Sequence, residues 1–265
     1  MQKTKKEKWI FTFASALAGA YLFLCLAPPR AFPAFAEAHP KEKLCAYTTY
    51  FNEKEGGRCE NIRLAVRRLD GIALQPYGEF SFNGAVGPRT KENGYQEAKV
   101  ISQGAFVLGV GGGVCQVSTT LYNAAILSGL TVLEYHPHSL RVGYVPPSRD
   151  AMVSAYSDLR LYNPRPETVY ISAEVGEGWL RFTLYGKVDG RTYSIESRAL
   201  AEIPPPEPIV KEGEEVVIRL GVAGLKSESY LYTYESGVLV SVQRLRADEY
   251  APQRGVIEKK SEKAG

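Results

Sequence analysis

The chain has 265 residues, 45% of them hydrophobic and 23% charged, a globular balance that excludes a disordered, collagen-like or multi-span membrane protein. The net charge of +3 is concentrated at the start: through residue 36, Lys3, Lys5, Lys6, Lys8 and Arg30 are opposed only by Glu7, and the remainder is nearly neutral. Phosphate binding requires a concentrated basic face, so no nucleic-acid partner is expected.

The basic Met1–Lys8 is followed by the apolar Trp9–Ala27, then Pro28-Pro29-Arg30 and Ala34-Phe35-Ala36. This order predicts a signal peptide cleaved after Ala36 or, because the apolar run approaches the roughly 20 residues of a bilayer span, a retained membrane anchor. Both place the remainder outside the cytoplasm, secreted or anchored at the cell wall. Apart from Cys25 in that segment, the cysteines are Cys45, Cys59 and Cys115. Cys45 and Cys59 flank the turn-like Asn52–Gly57 and are expected to form a disulfide; closing a loop of that size stabilises by roughly 3 kcal/mol. Cys115 then remains as the odd thiol.

Leu44–Phe51 reads as a strand and Glu60–Ala73 as an amphipathic helix, with Ile62, Leu64, Ala65, Val66 and Leu69 opposite Arg63, Arg67 and Arg68. Glu79–Asn83 reads as a short strand, Gly84–Gly94 as a Gly/Pro loop and Val107–Gly113 as a glycine-rich loop. Gln116–Leu130 reads as a helix. Strands are expected at Thr131–Tyr135, Leu140–Tyr144, Leu159–Tyr162, Thr168–Val175 and Trp179–Tyr185. Helices followed by a meander of strands predict an α+β fold in which a central Cys-bearing helix packs on antiparallel strands. A Pro-rich linker at 201–208 divides residues 37–200 from a small all-β C-terminal module at 209–257, with a charged, disordered tail at 258–265.

Gly111-Gly112-Gly113 runs directly into the helix that carries Cys115 in its first turn. A helix N-terminus favours the thiolate, and its free N–H groups, with those of Gly112 and Gly113, can hold an oxyanion. Cys115, Ser118, Thr119 and Tyr122 fall at helical spacing and predict a polar, substrate-facing stripe. His136 and His138 follow, on one face of an extended segment set by Pro137. Cys with His is the minimum set for nucleophilic thiol catalysis, with Asp150 and Asp158 as candidate orienters of the imidazole. His136, His138 and Cys115 could instead form a three-ligand zinc site, but no metal-ligand motif such as H-E-x-x-H accompanies them. No metal and no other cofactor is expected.

Phe80–Asn83, Val86–Thr90, Gly94-Tyr95, Gly111–Tyr122, His136–Ser139, Tyr144–Pro147, Arg149–Ala151 and Asp158–Arg160 resemble the VanW family, named for an accessory protein of vancomycin-resistance clusters. The resemblance covers about Tyr47–Lys187. The segment after the linker resembles, more weakly, the G-five wall-associated domain, on Gly221, Gly224, Gly237 and Asp248–Pro252. These resemblances imply a cell-envelope protein whose partners are peptidoglycan stem peptides and glycan. They imply a transferase, an L,D-transpeptidase forming 3-3 cross-links through a Cys115 thioester, with His138 favoured over His136 as base. Arg89, Arg149 and Arg160 are candidate partners for substrate carboxylates, and Ser139 and Asp150 belong to the matching stretches. Two other classes fit the same residues: a thiol- or zinc-dependent peptidoglycan hydrolase, and a non-catalytic wall-binding protein.

Overall fold

The architecture comes from a computed structural model that describes residues 42–102, 104–213 and 217–260. The signal or anchor segment at 1–36, Cys25 and the end of the charged tail lie outside the described residues. Among the described residues, no helix is long and apolar enough to cross a membrane.

The chain is mostly antiparallel strand with few helices. β1 (Lys43–Tyr50) leads into α1 (Gly56–Leu69), which starts four residues earlier than the sequence predicts and ends earlier too. Its last turn carries Arg67 and Arg68, suited to the negative end of the helix dipole, and Gly71 at φ +85° turns the chain away. Ile62, Ala65, Val66 and Leu69 form its buried stripe. After β2 (Ala73–Leu74) and β3 (Glu79–Ser81), Phe82–Val86 forms a one-turn helix, α2, in place of the end of the expected strand and the start of the expected loop. β4 (Glu97–Ser102) and β5 (Ala105–Val110) pair as a hairpin, so part of the expected glycine loop is strand.

The Cys-bearing helix is α3 (Val114–Leu127), followed by β6 (Thr131–Glu134). Val117, Leu121, Ala124 and Ala125 are fully buried; a buried Leu or Val contributes about 1.5–3 kcal/mol. The expected strand at Leu140–Tyr144 is absent: Pro137, Pro146 and Pro147 bracket a loop anchored by the buried Leu140, Val142 and Val145. β7 (Arg160–Tyr162), β8 (Val169–Gly176) and β9 (Trp179–Tyr185) complete this part. One sheet has the order β1-β9-β8-β2 and a second β3-β7-β6, both antiparallel. Both α1 and α3 pack against the first sheet, and residues of all these elements form one core.

The C-terminal module begins earlier than expected. β10 (Arg191–Ile203) pairs along its length with β13 (Gly224–Glu235), which pairs with β14 (Val238–Tyr250). The proline run therefore lies inside the module, between β10 and β11 (Ile209–Gly213), rather than ahead of it. β11, β12 (Val217–Arg219) and β15 (Val256–Lys260) form a small mixed sheet, which also takes up the first residues of the expected tail.

Candidate functional site

The start of α3 is held from three directions. Gly111 and Gly113 have φ of +87° and +106°, backbone that suits glycine. A Cβ on Gly112 would lie 2.6 Å from the Lys99 carbonyl oxygen, and one on Gly113 would lie 2.9 Å from Arg58 Cγ, so the loop can only sit between β4 and α1 as glycine. The buried Asn61 fastens it there: its Nδ2 donates to the carbonyls of Gly112 (2.9 Å) and Gln96 (2.9 Å), and its Oδ1 accepts from Gln96 N–H (2.7 Å). Gln116 ties the helix to β1, donating to Tyr50 O (2.9 Å) and Thr49 Oγ1 (3.0 Å) while accepting from Arg58 Nη2 (2.5 Å).

Cys115 in this first turn lies beside the His138 imidazole, close enough for each group to shift the other's proton affinity. His138 Nδ1 meets Asp150 Oδ2 at 2.7 Å, which leaves Nε2 for the sulfur, and the backbone N–H of His138 donates to the same carboxylate oxygen at 2.7 Å. His138 and Asp150 are 5% and 1% exposed. Burial alone would raise the thiol, but the hydrogen bond and positive charge of His138, with Arg89, outweigh it and lower Cys115 below the ordinary thiol range. Burial likewise opposes the imidazolium, yet hydrogen bonds to Asp150 and Cys115 and their negative charges raise His138 to about 9. Asp150, which burial would raise, is held low by His138 and then by Arg246 and Tyr250. Cys115, His138 and Asp150 form a thiol–imidazole–carboxylate chain whose electrostatics favour thiolate and imidazolium. In the neutral thiol form, Sγ can donate to the Val153 carbonyl at 3.3 Å.

The sulfur opens into a cleft of about 790 Å³, lined by Gly111–Gln116, His138, Arg141–Tyr144, Met152–Ala155, and residues of α1, β4, β5 and the Asn83–Thr90 segment. Arg58, Arg89, Lys99 and Arg141 line it, and no Asp or Glu does. Tyr144 stands in this lining; burial and then the charge of Cys115 push its phenol well above the ordinary range, so it stays a proton donor.

Several expected site residues are placed elsewhere. Ser118 and Thr119 are fully buried and bind the Ala151 backbone: Ser118 Oγ donates to Ala151 O (2.6 Å), and Thr119 Oγ1 accepts from Ala151 N–H (2.9 Å). Tyr122 is buried against Arg246. Beyond Cys115, the polar stripe of α3 therefore secures the loop around Asp150 instead of facing a ligand. Arg149 lies over the Tyr47 ring at 5.2 Å and donates to Asn123 Oδ1 (2.8 Å), while Arg160 pairs with Glu79; neither lines the cleft. Ser139 is exposed outside the cleft, and its carbonyl accepts from Ala251 N–H at 2.8 Å. His136 pairs with Glu134 at 3.0 Å, away from the sulfur, so no His136–His138–Cys115 ligand set forms. Among the described residues, no group of three or more His, Cys, Asp or Glu is placed to hold a metal ion. Asp158 accepts from Ser81 Oγ (2.5 Å) and Asn83 N–H (2.8 Å), which makes it a partner of the α2 cap rather than of an imidazole.

The expected disulfide is absent: Cys45, Cys59 and Cys115 are all free. Cys45 Sγ lies by Ala46 O on β1, whereas Cys59, in the first turn of α1, directs its thiol to the Asn52 and Glu53 carbonyls. With three free thiols, the odd-cysteine argument for Cys115 falls, and geometry replaces it. Arg58, Lys99, Arg141, Tyr144, Arg246 and Tyr250 are not among the site residues the sequence predicts; Tyr144 lies in the matched Tyr144–Pro147 stretch and Tyr250 in the Asp248–Pro252 stretch, while the others carry no local signal.

With this geometry in view, three comparisons bear on identity. The uncharacterized protein YoaR of Bacillus subtilis (strain 168) is 39% identical over 173 residues, covering 64% of this chain and 55% of that protein. The vancomycin B-type resistance protein VanW of Enterococcus faecalis (strain ATCC 700802 / V583) is 25% identical over 135 residues, 51% of this chain and 42% of that protein. The chain thus spans about half the length of the curated relatives it matches. A solved structure titled "IgA1 Protease G5 domain structure" aligns with 29% of the chain and all of its own length, at 20% identity and a TM-score of 0.18. The model of the family described as "VanW like protein" matches residues 57–185, a segment that holds nearly all of α1, the glycine loop, Cys115, His138 and Asp150, and it is through this segment that the chain is similar to the VanW family.

Proposed function

We propose that this chain is a cysteine-dependent acyltransferase of the cell wall, an L,D-transpeptidase that forms 3-3 cross-links between peptidoglycan stem peptides. The observation that carries the reading is the Cys115–His138–Asp150 chain opening into a cleft with four cationic side chains and no acidic one. Arg58, Arg89, Lys99 and Arg141 suit a donor rich in carboxylates, as a peptide stem is, with a guanidinium fork matching each carboxylate. Kinship with a vancomycin B-type resistance protein supports a role at the wall, outside the cytoplasm.

In the forward step the Cys115 proton passes to His138 Nε2, and the thiolate attacks the carbonyl carbon of the third stem residue. The N–H groups of the glycine loop and the first turn of α3, with the Tyr144 phenol, are the donors available to the oxyanion. The C–N bond to the terminal D-alanine breaks, and the imidazolium returns the proton to the leaving amine. An amine side chain of a second stem then attacks the thioester, gives its proton to His138 and releases the thiol. Asp150 keeps the imidazole oriented and supports its charge throughout.

The test is intact-mass analysis after incubation with a tetrapeptide stem. A Cys115 adduct of stem minus D-alanine, resolved by a second stem, supports the transferase. Resolution by water alone makes the chain a hydrolase, and absence of any adduct favours a wall-binding protein.

A further inference from the structure

We propose that Arg246 and Tyr250 of β14 are positioning residues for Asp150, so that the C-terminal module completes the Cys115 site. The proposal rests on the catalytic reading above and adds residues from outside the matched family segment.

The two carboxylate oxygens of Asp150 are divided between two parts of the chain. Oδ2 accepts both the backbone N–H and Nδ1 of His138. Oδ1 accepts from Tyr250 Oη at 2.5 Å and lies 3.4 Å from Arg246 Nη2, while Arg246 Nη1 donates to the Asp150 carbonyl oxygen at 2.5 Å. Arg246 is itself fixed. Its Nε donates to Asp248 Oδ2 at 2.6 Å, and its guanidinium lies 4.4 Å from the Tyr135 ring centre and 5.7 Å from that of Tyr122. Tyr250 Oη also accepts from Ser148 N–H at 2.7 Å. The module holds the flanks of the site as well, through Ser227 to Ser148 at 2.8 Å and Ala251 to Ser139 at 2.8 Å.

A carboxylate this buried favours its neutral form unless charge and donors compensate. Arg246 is the buried cation facing Asp150 besides His138, and Tyr250 supplies a neutral donor. With Oδ1 unheld, the carboxylate can rotate or take a proton, and either change weakens the imidazolium and with it the thiolate. The titratable groups facing this centre are Cys115 and Tyr122 on α3; Tyr135, His138 and Tyr144 in the segment after α3; Arg246, Asp248 and Tyr250 on β14; and Arg89 across the cleft.

The experiment is the pH profile of Cys115 carboxamidomethylation by iodoacetamide in the full chain, read by peptide mass and needing no stem substrate. Wild type should react well below the ordinary thiol range near 8.5. Tyr250→Phe and Arg246→Lys should move the midpoint up by about one pH unit, which cuts the rate about tenfold at pH values below the wild-type midpoint, with unchanged circular dichroism. Tyr232→Phe, an exposed phenol on the same module, should behave as wild type. Folded Tyr250→Phe and Arg246→Lys proteins with the wild-type profile would overturn the proposal. If Arg246→Lys fails to fold, Tyr250→Phe, which removes one oxygen, decides alone. A wild-type profile already at the ordinary thiol range would instead overturn the catalytic reading beneath it.

Discussion

On one wall of the cleft, His138 and Asp150 are 5% and 1% exposed, and the Asp150 carboxylate is bonded from two directions. On the other, the β4–β5 hairpin leaves Phe106 55% exposed. Proton transfer needs donor and acceptor within hydrogen-bond reach, and the first wall keeps its imidazole and carboxylate bonded to each other and out of solvent. Recognition of a long peptide needs accessible area, and the second wall supplies apolar side chains beside Lys99. On the proposed function the buried wall would carry the chemistry and the open wall the binding, and substitutions on each should separate rate from affinity.

The largest effect belongs to the sulfur. Cys115→Ala should abolish the stem adduct seen by intact mass, and Cys115→Ser should nearly do so, because a serine hydroxyl is far harder to deprotonate. Next, His138→Ala should lower kcat/KM about 10²–10⁴-fold, the usual range for general acid–base catalysis, while His136→Ala stays close to wild type. An equal loss in both would break the division, since His136 is bonded to Glu134 outside the cleft. Asp150→Asn leaves Arg246 with Asp248 alone and should cost about 3 kcal/mol in urea unfolding, the lower end for breaking a buried ion pair.

The same pair makes a pH prediction. His138, raised to about 9, contributes stability that is full below its ordinary value near 6.5 and is lost as pH rises through about 9. Cys115, lowered, contributes stability present above about 8.5 and lost as pH falls through its folded value. Between about 6.5 and 8.5 the two slopes oppose, because folding moves a proton from sulfur to nitrogen without net uptake. The difference in Tm between wild type and a Cys115→Ala, His138→Ala double variant should therefore be flat across that interval. A steep slope there would mean that the ion pair is not formed. The smallest effect is on the open wall: Phe106→Ser should raise KM less than tenfold, leave Cys115 alkylation unchanged, and alter stability within about 0.5 kcal/mol.

Local signals in the sequence reached one end of each interaction and seldom both. The glycine loop running into a helix is a short-range pattern, and α3 begins at Val114, beside Cys115. His138 was preferred over His136 on the constraint of Pro137, and the structure places His138, not His136, beside the sulfur. Direction was not legible. The spacing of Cys45 and Cys59 suited a loop closure, yet a strand and a helix turn their thiols toward different carbonyls. Likewise, helical periodicity grouped Ser118, Thr119 and Tyr122 with Cys115, but could not show that the loop carrying Ala151 covers them. The Asp150–Tyr250 contact joins residues 100 apart in sequence, beyond the reach of any periodicity.

The β13–β14 hairpin has a consequence in reach. Its buried residues, Leu225, Ser227, Ser229, Arg246 and Tyr250, gather at the end that meets the Asp150 segment, whereas Val238, Leu239 and Val240 at the far end are exposed. At about 3.4 Å per residue, the stretch from Val238 to Arg246 is an arm of roughly 27 Å. Its short end holds an oxygen of the buried carboxylate and its long end stands in solvent. The solvent end of the hairpin is thus continuous, along one strand, with the side chains that hold the Asp150 carboxylate against His138.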